Sequence, residues 1–208
     1  MPKPTFFNLP EEKRSAIEEA AILEFRDHPF AGASINRIVE CSGISKGSFY
    51  QYFDDKEDVY FHIISLIGRE KMKYLEPKLL NPEQVSFFEI IREIYRSGIE
   101  FGLSNPDYLE IGNKMMRDPT MTARLMVHFG DTGLGVYKEL IRKGRANGEI
   151  RADLDVDLGA RMLMNMQLSL VEYYFEKHRD LGYSMAILED LDRFIQIMKF
   201  GFYGEADQ

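Results

Sequence analysis

The stretch from Ser34 to Lys56 constrains this chain more than any other. It reads Ser-Ile-Asn-Arg-Ile-Val-Glu-Cys-Ser-Gly-Ile-Ser-Lys-Gly-Ser-Phe-Tyr-Gln-Tyr-Phe-Asp-Asp-Lys. Ile35, Ile38 and Val39 recur at helical spacing and face inward. Gly43 permits the positive backbone angle that a tight turn needs. Ser45 then stands at a second helix start, with Ile44 just before it and Phe49 four residues after it. This is the spacing of a hydrophobic staple. Phe49 and Phe53 share a buried face one turn apart, which leaves Lys46, Gly47, Ser48, Tyr50 and Gln51 outside. Asp54 or Asp55 caps a further helix. Two short helices about a glycine turn, followed at once by another, form a helix-turn-helix, an arrangement that lays one helix in a DNA groove.

The outward residues suit that use. Gly47 has no side chain, so backbone can approach a phosphate. Ser48 and Tyr50 can donate hydroxyls to phosphates, and the Gln51 amide can pair with an adenine edge. Lys56 lies in the first turn of the next helix, where its charge and the free amides reinforce each other as a phosphate site. Ser34 can cap the helix before the turn through its hydroxyl. The candidate DNA-contacting set is Ser34, Arg37, Ser45, Lys46, Gly47, Ser48, Tyr50, Gln51, Tyr52 and Lys56. A plain three-helix packing unit with a polar outer face is the competing reading. The absence of any acid between Ser42 and Phe53 favours DNA. The net charge of -8 counts against it. Even residues 1–75 carry 10 Lys and Arg against 12 Asp and Glu, so DNA affinity must come from a few well-placed groups.

Residues 9–60 resemble the N-terminal domain of TetR-family transcriptional regulators. The matching pattern runs from Ser34 through Ile38-Val39 and Ser42-Gly43-Ile44-Ser45-Lys46-Gly47-Ser48-Phe49-Tyr50-Gln51-Tyr52-Phe53 to Lys56-Glu57. Its Tyr-x-Tyr-Phe-x-x-Lys-Glu ending is far more specific than a bare helix-turn-helix. Val39 and Ser42 stand where the family usually has alanine, and Ser34 where it usually has threonine; none of these removes a DNA-facing group. The resemblance implies an all-helical homodimer, usually a repressor, that binds a palindromic operator and releases it when a small molecule occupies the C-terminal domain. Gly148-Glu149-Ile150-Arg151, with Asp153 and Asp155, is similar to the segment that leads into the family's first dimer helix.

Apolar spacing is helical almost throughout, and no alternating run argues for a strand. The expected fold is all-α with about nine helices. An N-terminal three-helix DNA-binding domain precedes a C-terminal helical domain for ligand binding and dimerisation. The first helix opens near Pro10 and ends before Pro29. Helices are predicted over 34–42, 45–53, 55–73, 83–103, 106–117, 119–146, 156–178 and 184–203. Gly130, Gly133 and Gly135 are expected to loosen or interrupt the longest of these. Pro77 and Pro82 mark a boundary, which divides the chain into a DNA-binding domain at 1–56, a connecting helix at 57–74 and an effector and dimerisation domain at 75–208.

The last two helices are apolar on more than one side, and such a helix needs two partners. A four-helix bundle across a two-fold axis supplies the second. Leu170, Tyr174, Leu188, Leu191, Ile195 and Met198 are the candidate dimer contacts, against the alternative that both helices are central in a monomeric core. Phe101, Tyr108, Met115, Met116, Phe129, Met162 and Met166 are candidates to line an effector pocket, since Met and aromatic side chains adapt to bulky apolar ligands. The same residues also suit a plain core.

Other chemistries lack their residues. The four histidines lie far apart without Cys or acid companions, so no metal site and no cofactor are expected. No phosphate loop, nucleophile elbow or paired-carboxylate motif occurs, and an enzyme is not expected. Asp153, Asp155 and Asp157 lack the glycine and distal glutamate of a calcium loop and read as helix caps. Cys41 is expected among small packed residues and has no partner in the chain for a disulfide, which fits a reducing cytoplasm. No apolar run is long enough for a membrane span, and the first residues lack a signal-peptide core. The expected partners are double-stranded operator DNA, a hydrophobic small-molecule effector and a second copy of the chain. Two rivals remain: a DNA-binding regulator with no effector, and an all-helical enzyme.

Overall fold

The structure, a computed structural model, describes residues 1–75, 85–182 and 184–201, apart from the side chains of Leu75 and Gln167. Among these residues all regular elements are helical. In chain order they are α1 (Pro4–Phe7), α2 (Glu11–Asp27), α3 (Ile35–Cys41), α4 (Lys46–Tyr52), α5 (Lys56–Leu75), α6 (Phe87–Ser104), α7 (Pro106–Met116), α8 (Pro119–Ala146), α9 (Val156–Lys177) and α10 (Ile187–Phe200), with a short 3-10 turn at Phe30–Gly32. The described residues gather into two compact units. Among them the first takes in 1–74 and 101–125, the second 75, 85–100, 126–182 and 184–201. Pro77 and Pro82, the expected boundary, lie outside the described residues.

The first unit is built around α2, which packs on α3 and α7. Its inner face is Ile17, Ala20, Ala21 and Phe25, with Glu24 among them. His28 turns the chain into extended geometry as the residue before Pro29 must, and the helix stops. Ile38, Phe49, Phe53 and Ile63 are fully buried in the same unit, as is Phe6 from α1. Helix α1 departs from the sequence pattern, which places the first helix start near Pro10. Gly43 takes φ +67°, as the turn requires. Asp55 Oδ1 accepts the Asp58 amide at 2.9 Å, which makes Asp55 the cap of α5.

The core of the second unit forms where α6, α8, α9 and α10 bring together Ile91, Ile99, Leu134, Ile141, Leu170 and Leu191. Asp155 caps α9 by accepting the amides of Asp157 and Leu158 at 2.9 and 3.0 Å. Helix α8 runs unbroken through Gly130, Gly133 and Gly135, contrary to the expected interruption. Each glycine costs about 1 kcal/mol against alanine. Burial of Leu134 and Ile141 on the same helix offsets that cost. Helix α10 begins at Ile187 rather than 184, and Gly201 at φ +71° ends it.

Candidate nucleic-acid interface

Helix α4 has two distinct sides. Phe49 and Tyr52 are buried, whereas Ser45, Lys46, Gly47, Tyr50 and Gln51 are exposed and Ser48 is half-buried. The Ser45 side chain accepts the Ser48 amide at 3.0 Å and lies 2.9 Å from the Ser48 hydroxyl, so the helix start is fixed by its own sequence. Tyr50 keeps 44% of its surface open while its ring meets Phe49 edge-on at 5.4 Å. A Cβ placed on Gly47 would touch only Ser45 Oγ, at 3.8 Å, so the open space there faces outward. A short helix with a packed aromatic side and an open Lys-Gly-Ser-Tyr-Gln side can enter a groove without unfolding anything behind it.

The approach to this helix is set by a buried carboxylate. Glu24, on the inner face of α2, accepts the Ser34 amide at 2.7 Å. It also accepts Arg37 Nε at 2.8 Å and Arg37 Nη2 at 2.6 Å. Arg37 Nη2 further donates to the Gly32 carbonyl at 2.9 Å. Burial by itself would raise the Glu24 carboxyl. The bonds from Arg37 and the Ser34 amide, with the charges of Arg37 and His28, outweigh burial and hold it below the usual carboxylate range. The bond to Glu24 raises Arg37 in turn. Glu24 therefore takes the Ser34 amide, one of the free amides at the α3 start, while the Ser34 hydroxyl makes no cap bond.

Other candidates are placed differently from the sequence reading. Lys56 Nζ donates to the Ala33 carbonyl at 2.9 Å and stands 4.7 Å from the Phe30 ring centre, so its charge holds the 30–33 segment. Tyr52 is 6% exposed, with its ring 6.2 Å from that of Phe6, and belongs to the core. Cys41 is exposed rather than packed among small residues. The residues that sequence reasoning missed are Glu24, as an organiser, and Lys3 and Thr5 beside α4. An acid on an otherwise apolar helix face was the available signal for Glu24.

The effector candidates fall in both units. Phe101 stacks on Tyr108 at 5.9 Å in the first, together with Met115 and Met116. Phe129, Met162 and Met166 are in the second; Met162 is 62% exposed and Met166 half-buried. A cleft of about 400 Å³ opens in the first unit between α2 and the α6–α7 junction, lined by Glu19, Ile22, Leu23, Asn105 and Tyr108 among others. Tyr108 is the one candidate on its wall.

The candidate dimer contacts are packed inward. Leu170, Tyr174, Leu188, Leu191 and Ile195 are buried within the second unit, and Met198 is half-buried against its core. The open apolar side of these helices carries Leu158, Met162 and Tyr173 on α9 and Ile197 and Phe200 on α10. Among the described residues no group of His, Cys, Asp and Glu could hold a metal ion, and no helix is long and apolar enough to cross a membrane.

Comparison with known proteins bears on the same region. Residues 17–63 match the model of bacterial regulatory proteins of the tetR family. The HTH-type transcriptional repressor AcnR of Corynebacterium glutamicum is 24% identical over 149 residues, 72% of this chain and 74% of that protein. A TetR family transcriptional regulator from Chloroflexus aurantiacus J-10-fl is 31% identical, covering 97% of this chain and 98% of its own, with a TM-score of 0.57. The transcriptional regulator FadR from Bacillus subtilis, solved with stearoyl-CoA, shares the fold with a TM-score of 0.64 at 17% identity, over 91% of this chain and 99% of that one.

Proposed function

We propose that this protein, which belongs to the TetR family of bacterial transcriptional regulators, is a repressor that binds a palindromic operator as a homodimer and leaves it when an apolar small molecule binds. It is a DNA-binding regulator and not an enzyme. The observation that carries the reading of the DNA face is the open side of α4, where Lys46, Gly47, Ser48, Tyr50 and Gln51 lie opposite a fully buried Phe49. In this reading Lys46, Ser48 and Tyr50 contact phosphates and Gln51 reads a base. Arg37 and Lys56 act one step back by fixing the segment that leads into the motif. Residues 1–56 carry DNA contact, 57–74 connect, and 75–208 take the effector and the second copy of the chain. The site of action is the cytoplasm.

The dimer face is proposed to be the open apolar side of α9 and α10. Leu158, Met162 and Tyr173 recur at helical spacing, as do Ile197 and Phe200. Repression is supported by the relatives named as repressors. An apolar effector is supported by the Met and aromatic content of 75–208. Acyl-CoA thioesters are the first class to screen, since fold neighbours have been solved with stearoyl-CoA and lauroyl-CoA.

The test is selection of duplexes from a random pool by the purified protein, followed by a salt-series titration against scrambled DNA. Selective binding of two copies per palindrome, weakening with salt, is expected. Tyr50→Ala should abolish selective binding while helix content is kept. Retention of full selectivity by Tyr50→Ala would refute the placement of the DNA face.

A further inference from the structure

Every helix ends with carbonyls that have no partner within it. In α4 the Phe53 amide bonds the Phe49 carbonyl at 2.9 Å, so the carbonyls of Tyr50, Gln51 and Tyr52 come after the last internal bond. The Asp54 amide does not return to them; it donates to Asp58 Oδ2 at 3.0 Å. All three carbonyls are taken by the segment ahead of α2. Lys3 Nζ donates to the Tyr50 carbonyl at 2.9 Å. The Thr5 hydroxyl donates to the Gln51 carbonyl at 2.5 Å. The Lys3 amide donates to the Tyr52 carbonyl at 2.7 Å. Phe6 anchors this segment: it is fully buried, with its ring 5.0 Å from those of Phe53 and His62.

We infer that residues 3–6 are a positioning element for DNA recognition, a clamp that completes the C-terminal end of α4 and holds Tyr50 and Gln51 in their reading geometry. The inference rests on the reading of α4 as the DNA-contacting helix. A helix of seven residues is too short to hold its own last turn, since isolated helices need roughly twelve residues or more to persist in water. Tyr50 and Gln51 both lie in that last turn. The Lys3 ammonium at a helix C-terminus also suits the dipole, and Asp54 Oδ1 at 2.7 Å holds it there. Lys3 and Thr5 thus act through Tyr50 and Gln51 rather than on DNA.

The experiment compares the full chain with Lys3→Met, Thr5→Val and the double variant, with Lys3→Arg and Thr5→Ser as conservative partners. One arm is native-state hydrogen exchange without DNA. The double variant should exchange faster at the amides of Tyr50 to Phe53 and as before at those of α2 and α5. The other arm is titration of a duplex selected by the unaltered protein. Loss of two net hydrogen bonds predicts about a tenfold weaker affinity, with an unchanged salt slope and recovery in the conservative variants. A salt slope lowered by about 0.9 per protomer in Lys3→Met would overturn the inference and make Lys3 a phosphate ligand. Unchanged exchange and affinity would overturn it as well. If the unaltered protein selects no duplex, the DNA reading of α4 fails and the positioning role falls with it; the exchange arm reports separately on the clamp.

Discussion

Replacing Glu24 by Gln keeps the size of the side chain and removes its charge where it ties α2 to Ser34 and to Arg37 of α3. Glu24 is 7% exposed, and its carboxylate accepts from the Ser34 amide and from two nitrogens of Arg37. A carboxamide can still accept from Ser34, but its NH2 then faces the guanidinium, donor against donor. Loss of a fully buried pair costs about 3–5 kcal/mol. Arg37 is 45% exposed and can turn to water, so the cost of losing the Glu24 charge falls to about 2 kcal/mol. For a chain of this length that lowers Tm by about 4–8 °C. The carboxyl titrates below its ordinary value of 4.5 in the fold. Its contribution is therefore complete above that value and drains away as pH falls through the depressed one. Urea unfolding of both proteins at neutral pH and again near pH 3 gives the assay. The gap should be clear at neutral pH and narrow in acid. Equal midpoints at neutral pH, or a gap of the same size in acid, would refute the assignment of the effect to the Glu24 charge.

Three further outcomes are expected. Met162→Asp combined with Ile197→Asp should shift sedimentation from a dimer to the 24.2 kDa monomer with helix content kept, because both side chains are open in the protomer; a dimer that persists moves the interface elsewhere. Gly43→Ala should destabilise by about 1–2 kcal/mol, since φ +67° is strained for any side chain although space is free there; no change in the unfolding midpoint would mean that the turn has relaxed. Tyr174→Phe should cost about 1 kcal/mol, because the Tyr174 hydroxyl bonds the Gly182 carbonyl at 3.0 Å and the Ser184 hydroxyl at 2.7 Å; an unchanged midpoint would show that water replaces it.

The motif was legible because local rules fix it. Gly43 and Ser45 each answer to a backbone requirement visible in sequence, and the structure uses both as read; of Asp54 and Asp55, either of which suits the next cap by sequence, it uses Asp55. The basic residues were not legible in this way. Nothing local tells whether Arg37 or Lys56 points to solvent, and each is drawn to partners more than ten residues away, at Glu24 and Ala33. The last two helices show a related limit. Their double-sided apolar pattern called for two partners, but periodicity could not say which stripe faces which. The more regular stripe, with Leu170, Leu188 and Leu191, lies inside the protomer, and Met162 and Ile197 are on the other. Lys3 and Thr5 could not be found by pattern at all, because their partners are backbone carbonyls of residues about 46 positions on.

The inward use of Arg37 and Lys56 has a consequence for how such a protein searches a chromosome. Indiscriminate attraction to DNA grows with the number of phosphates that free cations can neutralise. Here two cations of the motif, Arg37 and Lys56, bond within the domain, and the chain as a whole is acidic. Encounters with random duplex should be brief, with little sliding. On the proposed reading a site is held by Lys46 together with hydroxyl, amide and shape complementarity, and few copies of the regulator should be lost among competing sequences.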